Sequence, residues 1–81
     1  MARVTVRLFA SAREAAGRAG DSFDADHLDG LLAQARDRFG PEFTAVLATA
    51  RVWVNGDEPP DGAARLADGD EIAVLPPVSG G

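Results

Sequence analysis

The stretch Glu71–Leu75, EIAVL, decides the fold, because its apolar residues fall on both faces of a strand. Strands of this kind are typical of the interior of a sheet. A turn sequence, ADGD at residues 67–70, precedes it, and Pro76 and Pro77 follow it. Since neither proline has an amide hydrogen to donate to a neighbouring strand, pairing should stop there. We therefore expect a central strand from which the chain leaves in extended form.

The beginning of the chain has the alternation of a strand with one buried face. In RVTVRLF, residues 3–9, Val4, Val6 and Leu8 share one face, and polar residues occupy the other. This period of two predicts the first strand. A second and shorter strand is expected at Asp21–Asp24.

A third strand is predicted at Arg51–Asn55, with Trp53 on the face opposite to its two valines. The dipeptide Asn55–Gly56 favours a tight turn at the end of this strand. Pro59 and Pro60 lack the amide hydrogens that a central strand needs, so the chain beyond the turn should be a loop or an edge.

One amphipathic helix is expected between the second and third strands. Asp26 can cap its start, Asp29 adds negative charge to its first turn, and Gly40–Pro41 ends it. Gly30 should weaken the helix by about 1 kcal/mol relative to alanine, unless it allows a close helix–sheet contact. The apolar residues at helical spacing are Leu28, Leu31, Leu32, Ala35 and Phe39.

These elements predict an α+β fold, a mixed sheet of four to five strands with one main helix packed on one face. The segment ASAREAAG, residues 10–17, adds a short helical turn that stops at Gly17. We expect one domain at residues 1–75 and an extended tail at residues 76–81.

Composition excludes several classes of function. The 81 residues contain no cysteine and a single histidine, so no disulfide, thiolate site or histidine-based metal site is expected. The net charge of −5 opposes nucleic-acid binding. No apolar run reaches the length of a membrane span, and the chain begins with a strand in place of a leader, which predicts a soluble, cytoplasmic protein. No role is expected for His27, which lies in the first turn of the helix.

The last residues, VSGG, allow two interpretations. They can be a frayed terminus, as many chain ends are. Alternatively, Val78 anchors an arm in a partner's groove, and Gly80–Gly81 passes through a slot too narrow for a side chain. The carboxylate of Gly81 would then be activated with ATP by a partner enzyme, and either a sulfur donor or an amine could displace AMP. The tail sequence by itself does not show which of these two nucleophiles reacts with it.

Three segments carry a family resemblance: LFASAREAAG at residues 8–17, VNG at residues 54–56 and LADGDEIAVLPPVSGG at residues 66–81. They resemble the MoaD/ThiS family of ubiquitin-like sulfur carriers, and the paired prolines resemble its molybdopterin synthase small subunits most. The resemblance implies a ubiquitin-like β-grasp fold with parallel first and last strands at the centre. It also implies a chain that binds no cofactor and is not catalytic alone.

The resemblance further implies partners and site residues. A ubiquitin-activating-like adenylyltransferase and a sulfur donor would charge Gly81, and a synthase large subunit would receive the tail in a heterotetramer. Phe9 and Leu75 match interface positions, although both can equally be core residues, and Leu75 stands where the family often has an aromatic residue. The arm that would be inserted in the partner comprises Pro76, Pro77, Val78, Ser79 and Gly80.

Other functions remain open at this stage. The chain can be a sulfur carrier for thiamine or cysteine synthesis, a ubiquitin-like protein modifier, or a β-grasp interaction module whose tail has no chemistry. Because the chain has no lysine, isopeptide chains built on its own side chains are excluded. Trp53 is interpreted as a packing residue on the sheet, and an exposed indole would instead favour an interface role. Arg13 and Glu14 are interpreted as a solvated ion pair, with contact to a partner as the alternative.

Overall fold

The computed structural model describes residues 1–59 and 61–77. Four strands form one sheet in the order β2-β1-β4-β3. The elements in chain order are β1 (Ala2–Leu8), α1 (Ala10–Ala16), β2 (Gly20–Ala25), α2 (Leu28–Phe39), α3 (Pro41–Leu47), β3 (Arg51–Val54) and β4 (Glu71–Leu75).

The two central strands are the first and the last. β1 and β4 run parallel, with Val6 opposite Ile72, whereas β2 and β3 pair antiparallel at the edges. The central position predicted for EIAVL is confirmed, and so is the mixed sheet. Ile72 and Val74 are fully buried on the inner face, while Ala73 and Leu75 are half-buried on the outer face.

The core lies between the inner face of the sheet and the helices. β1 alternates between buried and exposed residues along its whole length, as its sequence predicts. The helices cover only the inner face, so the outer face of the sheet is open among the described residues. The buried core side chains include Val4, Val6, Leu8, Phe23, Ile72 and Val74 from the sheet and Ala12, Leu28, Leu31, Ala35, Phe43 and Leu47 from the helices.

α2 begins at Leu28, and the predicted cap at Asp26 is wrong. The amides of Leu28 and Asp29 donate to the carbonyl oxygens of Ala64 and Gly62, at 3.0 and 2.8 Å. These acceptors come from the loop between β3 and β4, far away in sequence. Since backbone carbonyls already satisfy the first amides of the helix, no side-chain cap is needed there.

The close backbone contact suggested for Gly30 is also wrong. A methyl group at Gly30 would have no neighbour within 4 Å. The position that is tight against the backbone is Gly20, at the start of β2, where an added methyl group would collide with the carbonyl oxygen of Val6. Glycine therefore permits the pairing of β2 with β1 at this point.

α3 is an element that the sequence reasoning did not anticipate. Gly40–Pro41 does end α2, but Pro41 also forms the first turn of α3. Phe43 of α3 is fully buried, and its ring centroid lies 5.1 Å from that of Phe39. Phe39 in turn meets Phe23 edge-on at 5.9 Å. These three rings join α2 and α3 to the sheet.

The turns follow the predictions. Asn55 and Gly56 have φ of 52° and 85°, and the amides of Val54 and Asp57 each donate to the carbonyl of the other, at 2.8 and 3.0 Å. Such a two-residue hairpin requires positive φ at both central positions. Gly17, with φ of 75°, ends α1, which is a helix of seven residues.

Candidate functional site

The candidate site lies where β4 ends. Leu75 is the last residue of the strand and is half-buried on the outer face. Pro76 is half-buried and Pro77 is exposed. The four remaining predicted site residues, Val78, Ser79, Gly80 and Gly81, lie outside the described residues. The chain thus reaches Pro77 directly from a central, fully paired strand.

Phe9 lies beside this exit. Its amide donates to the carbonyl oxygen of Val74 at 3.3 Å, which extends the parallel pairing of β1 and β4 by one step and sets Phe9 next to Leu75. The backbone of Phe9 is extended, with φ of −125° and ψ of 153°. Its side chain therefore continues the alternation of β1 onto the outer face, and it is 42% exposed. The interpretation of Phe9 as a core residue is wrong.

The backbone around Phe9 is held on both sides. Its carbonyl oxygen accepts hydrogen bonds from the amides of Ala12 and Arg13, at 3.1 and 3.4 Å, so α1 starts directly after it. Ala10 has φ of 50°, a left-handed conformation that is uncommon for alanine. This sharp change of direction presents the phenyl ring at the same end of the sheet as the tail.

The outer face of the sheet divides into a polar half and an apolar half. On the apolar half, Trp53 of β3 lies directly opposite Ala73 of β4, and Leu75 follows two residues later on the same face. All three are half-buried. The polar half, on β1 and β2, carries the exposed residues Arg3, Thr5, Arg7, Ser22 and Asp24.

Hydrogen bonds fix the start of β4, at the other end of the strand from the tail. Asn55 Oδ1 accepts from the amide of Glu71, and Asn55 Nδ2 donates to Asp70, both at 2.9 Å. Asp70 Oδ2 accepts from the amide of Ala67 at 2.8 Å. The bond from Ala67, followed by that from Asn55, lowers the pKa of Asp70 below its usual value. The predicted role of ADGD as a turn is confirmed.

A second carboxylate ties the edge strand β2 to α2. Asp21 lies 2.8 Å from the guanidinium of Arg18 and 3.1 Å from that of Arg38. The Ser22 amide, and then the two guanidinium groups, lower the pKa of Asp21. Arg38 also lies over the ring of Phe23, 3.9 Å from its centroid. These contacts stabilise the packing of β2 against α2, and β1 separates β2 from β4.

Other polar residues form no comparable arrangement. Within residues 1–59 and 61–77, no group of three or more histidines, cysteines or carboxylates is placed to hold a metal ion. His27 is exposed and precedes α2. Arg13 is exposed and forms no ion pair with another described residue, so its expected ion pair is not found there. None of the described helices is long and apolar enough to cross a membrane.

An open groove of about 560 Å³ lies at the opposite end of β1 from Phe9. Met1, Asp26, His27 and Gln34 are among its lining residues. Because β1 and β4 are parallel, this groove is remote from the end of β4, and it contributes nothing to the candidate site.

Comparison with known proteins supports the geometry. The ThiS family profile matches residues 6–81. A molybdopterin synthase sulfur carrier subunit from Chlamydomonas reinhardtii is 38% identical, over 98% of this chain and 99% of that protein. The solution structure of small archaeal modifier protein 1 from Methanosarcina acetivorans has a TM-score of 0.86 and 32% identity, and the match covers 100% of this chain and 98% of that one.

A third similar structure is a complex of subunits 1 and 2 of the molybdopterin-converting factor from Helicobacter pylori. The matched chain has a TM-score of 0.77 and 26% identity, with 98% of this chain and 99% of that chain covered. The similarity thus extends over almost the whole length of each chain. The chain has the ubiquitin-like β-grasp fold and belongs to the ThiS family.

Proposed function

We propose that this chain is the sulfur-carrier subunit of a molybdopterin synthase, with sulfur carried on the carboxyl carbon of Gly81. The similar protein from Chlamydomonas reinhardtii has that name, and it matches this chain over nearly its whole length. The chain contains no cysteine, so no side-chain thiol is available to carry sulfur. In this proposal the carboxyl group of Gly81 carries the sulfur instead.

The observation that carries the proposal is the way in which the chain leaves the central strand β4. β4 is a central strand, paired on both sides, and it ends at Leu75 with two prolines directly behind it. Strand and prolines together restrict the direction in which the chain leaves the domain. A short arm on a rigid base loses little conformational freedom when it enters a partner's cleft. The glycines at its end can enter where a side chain would not fit.

Activation of the carboxylate must come first. Ionised at neutral pH, a carboxylate is a poor acceptor for a nucleophile. Attack of its oxygen on the α-phosphorus of ATP, with loss of pyrophosphate, gives an acyl-adenylate on an adenylyltransferase of the ubiquitin-activating type. A sulfur donor at the oxidation level of sulfide then forms the carbon–sulfur bond. AMP leaves with the bonding electron pair, and a thiocarboxylate remains.

Delivery of the sulfur requires a second partner. The structure of subunits 1 and 2 of the Helicobacter pylori factor supports a large synthase subunit as that partner. We expect the two subunits to form a heterotetramer. The large subunit would hold the pterin precursor and position it against the thiocarboxylate, which is the contribution of proximity and orientation. Two deliveries would complete the dithiolene.

A second candidate function is that of a protein modifier. The similarity to small archaeal modifier protein 1, with its TM-score of 0.86, favours it. The same acyl-adenylate would then be attacked by an amine of another protein, and an amide bond would form at Gly81. Immunoblots under denaturing conditions distinguish the two functions, because a modifier gives a ladder of heavier adducts and a sulfur carrier gives one free band.

The proposal is tested by lengthening the tail. One bulky residue added after Gly81 should abolish formation of molybdopterin in a reaction containing the adenylyltransferase, a sulfur donor, the large subunit and the pterin precursor. The same residue added before Met1, at the far end of β1, is the matched control and should leave the yield unchanged. Full activity of the tail-extended protein, with the extra residue shown by mass to be still attached, would contradict the proposal.

A further inference from the structure

The outer face of the sheet carries a half-buried indole. Trp53 lies opposite Ala73 and is not part of the buried core. It is also the single tryptophan of the chain. In the described part of the chain, its indole N–H donates to no protein acceptor.

Trp53 is continuous with the exit of the tail. Trp53, Ala73, Leu75 and Phe9 form the outer apolar strip, which runs across three strands of the sheet to the point where Pro76 begins. A subunit that takes the tail into its cleft must lie against the end of β4. Its surface therefore meets this strip, and Trp53 has the largest apolar side chain in it.

Positive charges border the outer apolar strip on both sides. Arg7 of β1 lies opposite Ala73, and Arg51 of β3 lies opposite Leu75. Their guanidinium groups make only exposed ion pairs, 3.5 Å from Glu71 and 4.0 Å from Glu58. Exposed pairs of this kind contribute little to stability. The strip is thus bordered by two arginines, each beside one exposed glutamate.

We propose that Trp53 is a specificity-determining anchor for the subunit that receives the tail. Its indole enters an apolar pocket of that subunit, and carboxylates at the rim of the pocket face Arg7 and Arg51. This inference rests on the proposed function, because it assigns both contacts to one partner. Tryptophan is enriched among the interface residues that dominate binding energy.

The indole itself is the most direct probe. In a ¹⁵N-labelled sample, the single tryptophan gives one indole N–H cross-peak. Adding the unlabelled large subunit should shift or broaden this cross-peak in proportion to complex formed. An indole cross-peak that stays unchanged while the backbone amides of Phe9 and Leu75 respond would overturn the proposal.

Affinity measurements with variants give a second, independent test. Trp53→Ala should weaken binding of the large subunit about tenfold or more, and Trp53→Phe should fall between this variant and the wild type. Arg51→Glu should slow association several-fold, with the effect shrinking at high salt. Arg36→Glu, the same charge change on an exposed position of α2, is the matched control and should not change affinity.

The outcomes separate this inference from the proposed function. If the wild type takes up sulfur at Gly81 and binds the large subunit, but Trp53→Ala and Trp53→Phe bind equally well, the inference fails and the proposed function stands. If the wild type neither takes up sulfur nor binds the large subunit, both are overturned. If Trp53→Ala does not fold, the indole cross-peak of the wild type still tests the inference.

Discussion

Gly20 and Gly30 show how two glycines of one small domain can have opposite roles. Gly20 lies where the β1 backbone leaves no room for a side chain, whereas Gly30 faces open space on α2. Gly20→Ala should therefore lower the free energy of unfolding by about 1–3 kcal/mol through overpacking. Gly30→Ala should raise it by up to about 1 kcal/mol through helix propensity. Urea denaturation of both variants measures the two changes in the free energy of unfolding. Changes of the same sign would contradict the opposite roles of Gly20 and Gly30.

Asp70 gives the domain a specific dependence on pH. Its folded-state pKa lies below the ordinary 3.8, because the Ala67 amide and Asn55 donate to the carboxylate. The resulting stabilisation is complete above about pH 4 and is lost as the pH falls through the folded-state pKa. Wild type should therefore be more stable than Asp70→Asn at neutral pH, and the difference should shrink in acid. Thermal melts across the acid range measure it, and a constant difference would contradict the role of the charge.

At the scale of helices and strands, the sequence predicts those elements whose formation depends on local residue patterns. β1, β4 and the hairpin at Asn55–Gly56 follow from alternation, two-sided hydrophobicity and turn chemistry. The predicted cap of α2 at Asp26 is wrong because the carbonyls that accept from the first helical amides lie in the loop after β3, far away in sequence. The sequence does offer local start signals for α3, since Pro41 occupies its first turn and Glu42 adds negative charge there, but Gly40–Pro41 is interpreted only as the end of α2.

The buried ring of Phe43 makes the contribution of α3 to stability measurable. Phe43→Ala should lower the free energy of unfolding by about 3–5 kcal/mol, because it empties a fully buried site beside Phe39 of α2. That is a large share of the stability of a small domain. Phe43→Leu keeps most of the volume and should cost clearly less. A loss for Phe43→Ala as small as that of a surface substitution would show that α3 is dispensable for folding.

On the scale of the whole molecule, the candidate site was predictable in part. The central position of β4 and the role of the prolines follow from the residues themselves, whereas Phe9 and Leu75 entered through family resemblance. Their proximity depends on the parallel register of β1 and β4, which patterning alone does not determine. The interpretation of Trp53 as a packing residue on the sheet agrees with its half-buried position there.

The tail should be needed for accepting sulfur but not for the stability of the folded domain. A chain ending at Pro77 keeps every element of the sheet and the whole core, so its unfolding transition should match that of the wild type. The same protein should be unable to accept sulfur. Thermal melting and a charging reaction test the two halves of this prediction. A large loss of stability on truncation would instead indicate that the last four residues are part of the folded domain.

The central claim is that Gly81 carries sulfur as a thiocarboxylate, and intact-mass spectrometry tests it most directly. The protein is incubated with ATP, its adenylyltransferase and a sulfur donor, and fragmentation then locates any change of mass. We predict one oxygen replaced by sulfur, confined to Gly81 and absent when ATP is omitted. An unchanged mass, under conditions in which a known carrier is fully charged by the same components, would contradict the account.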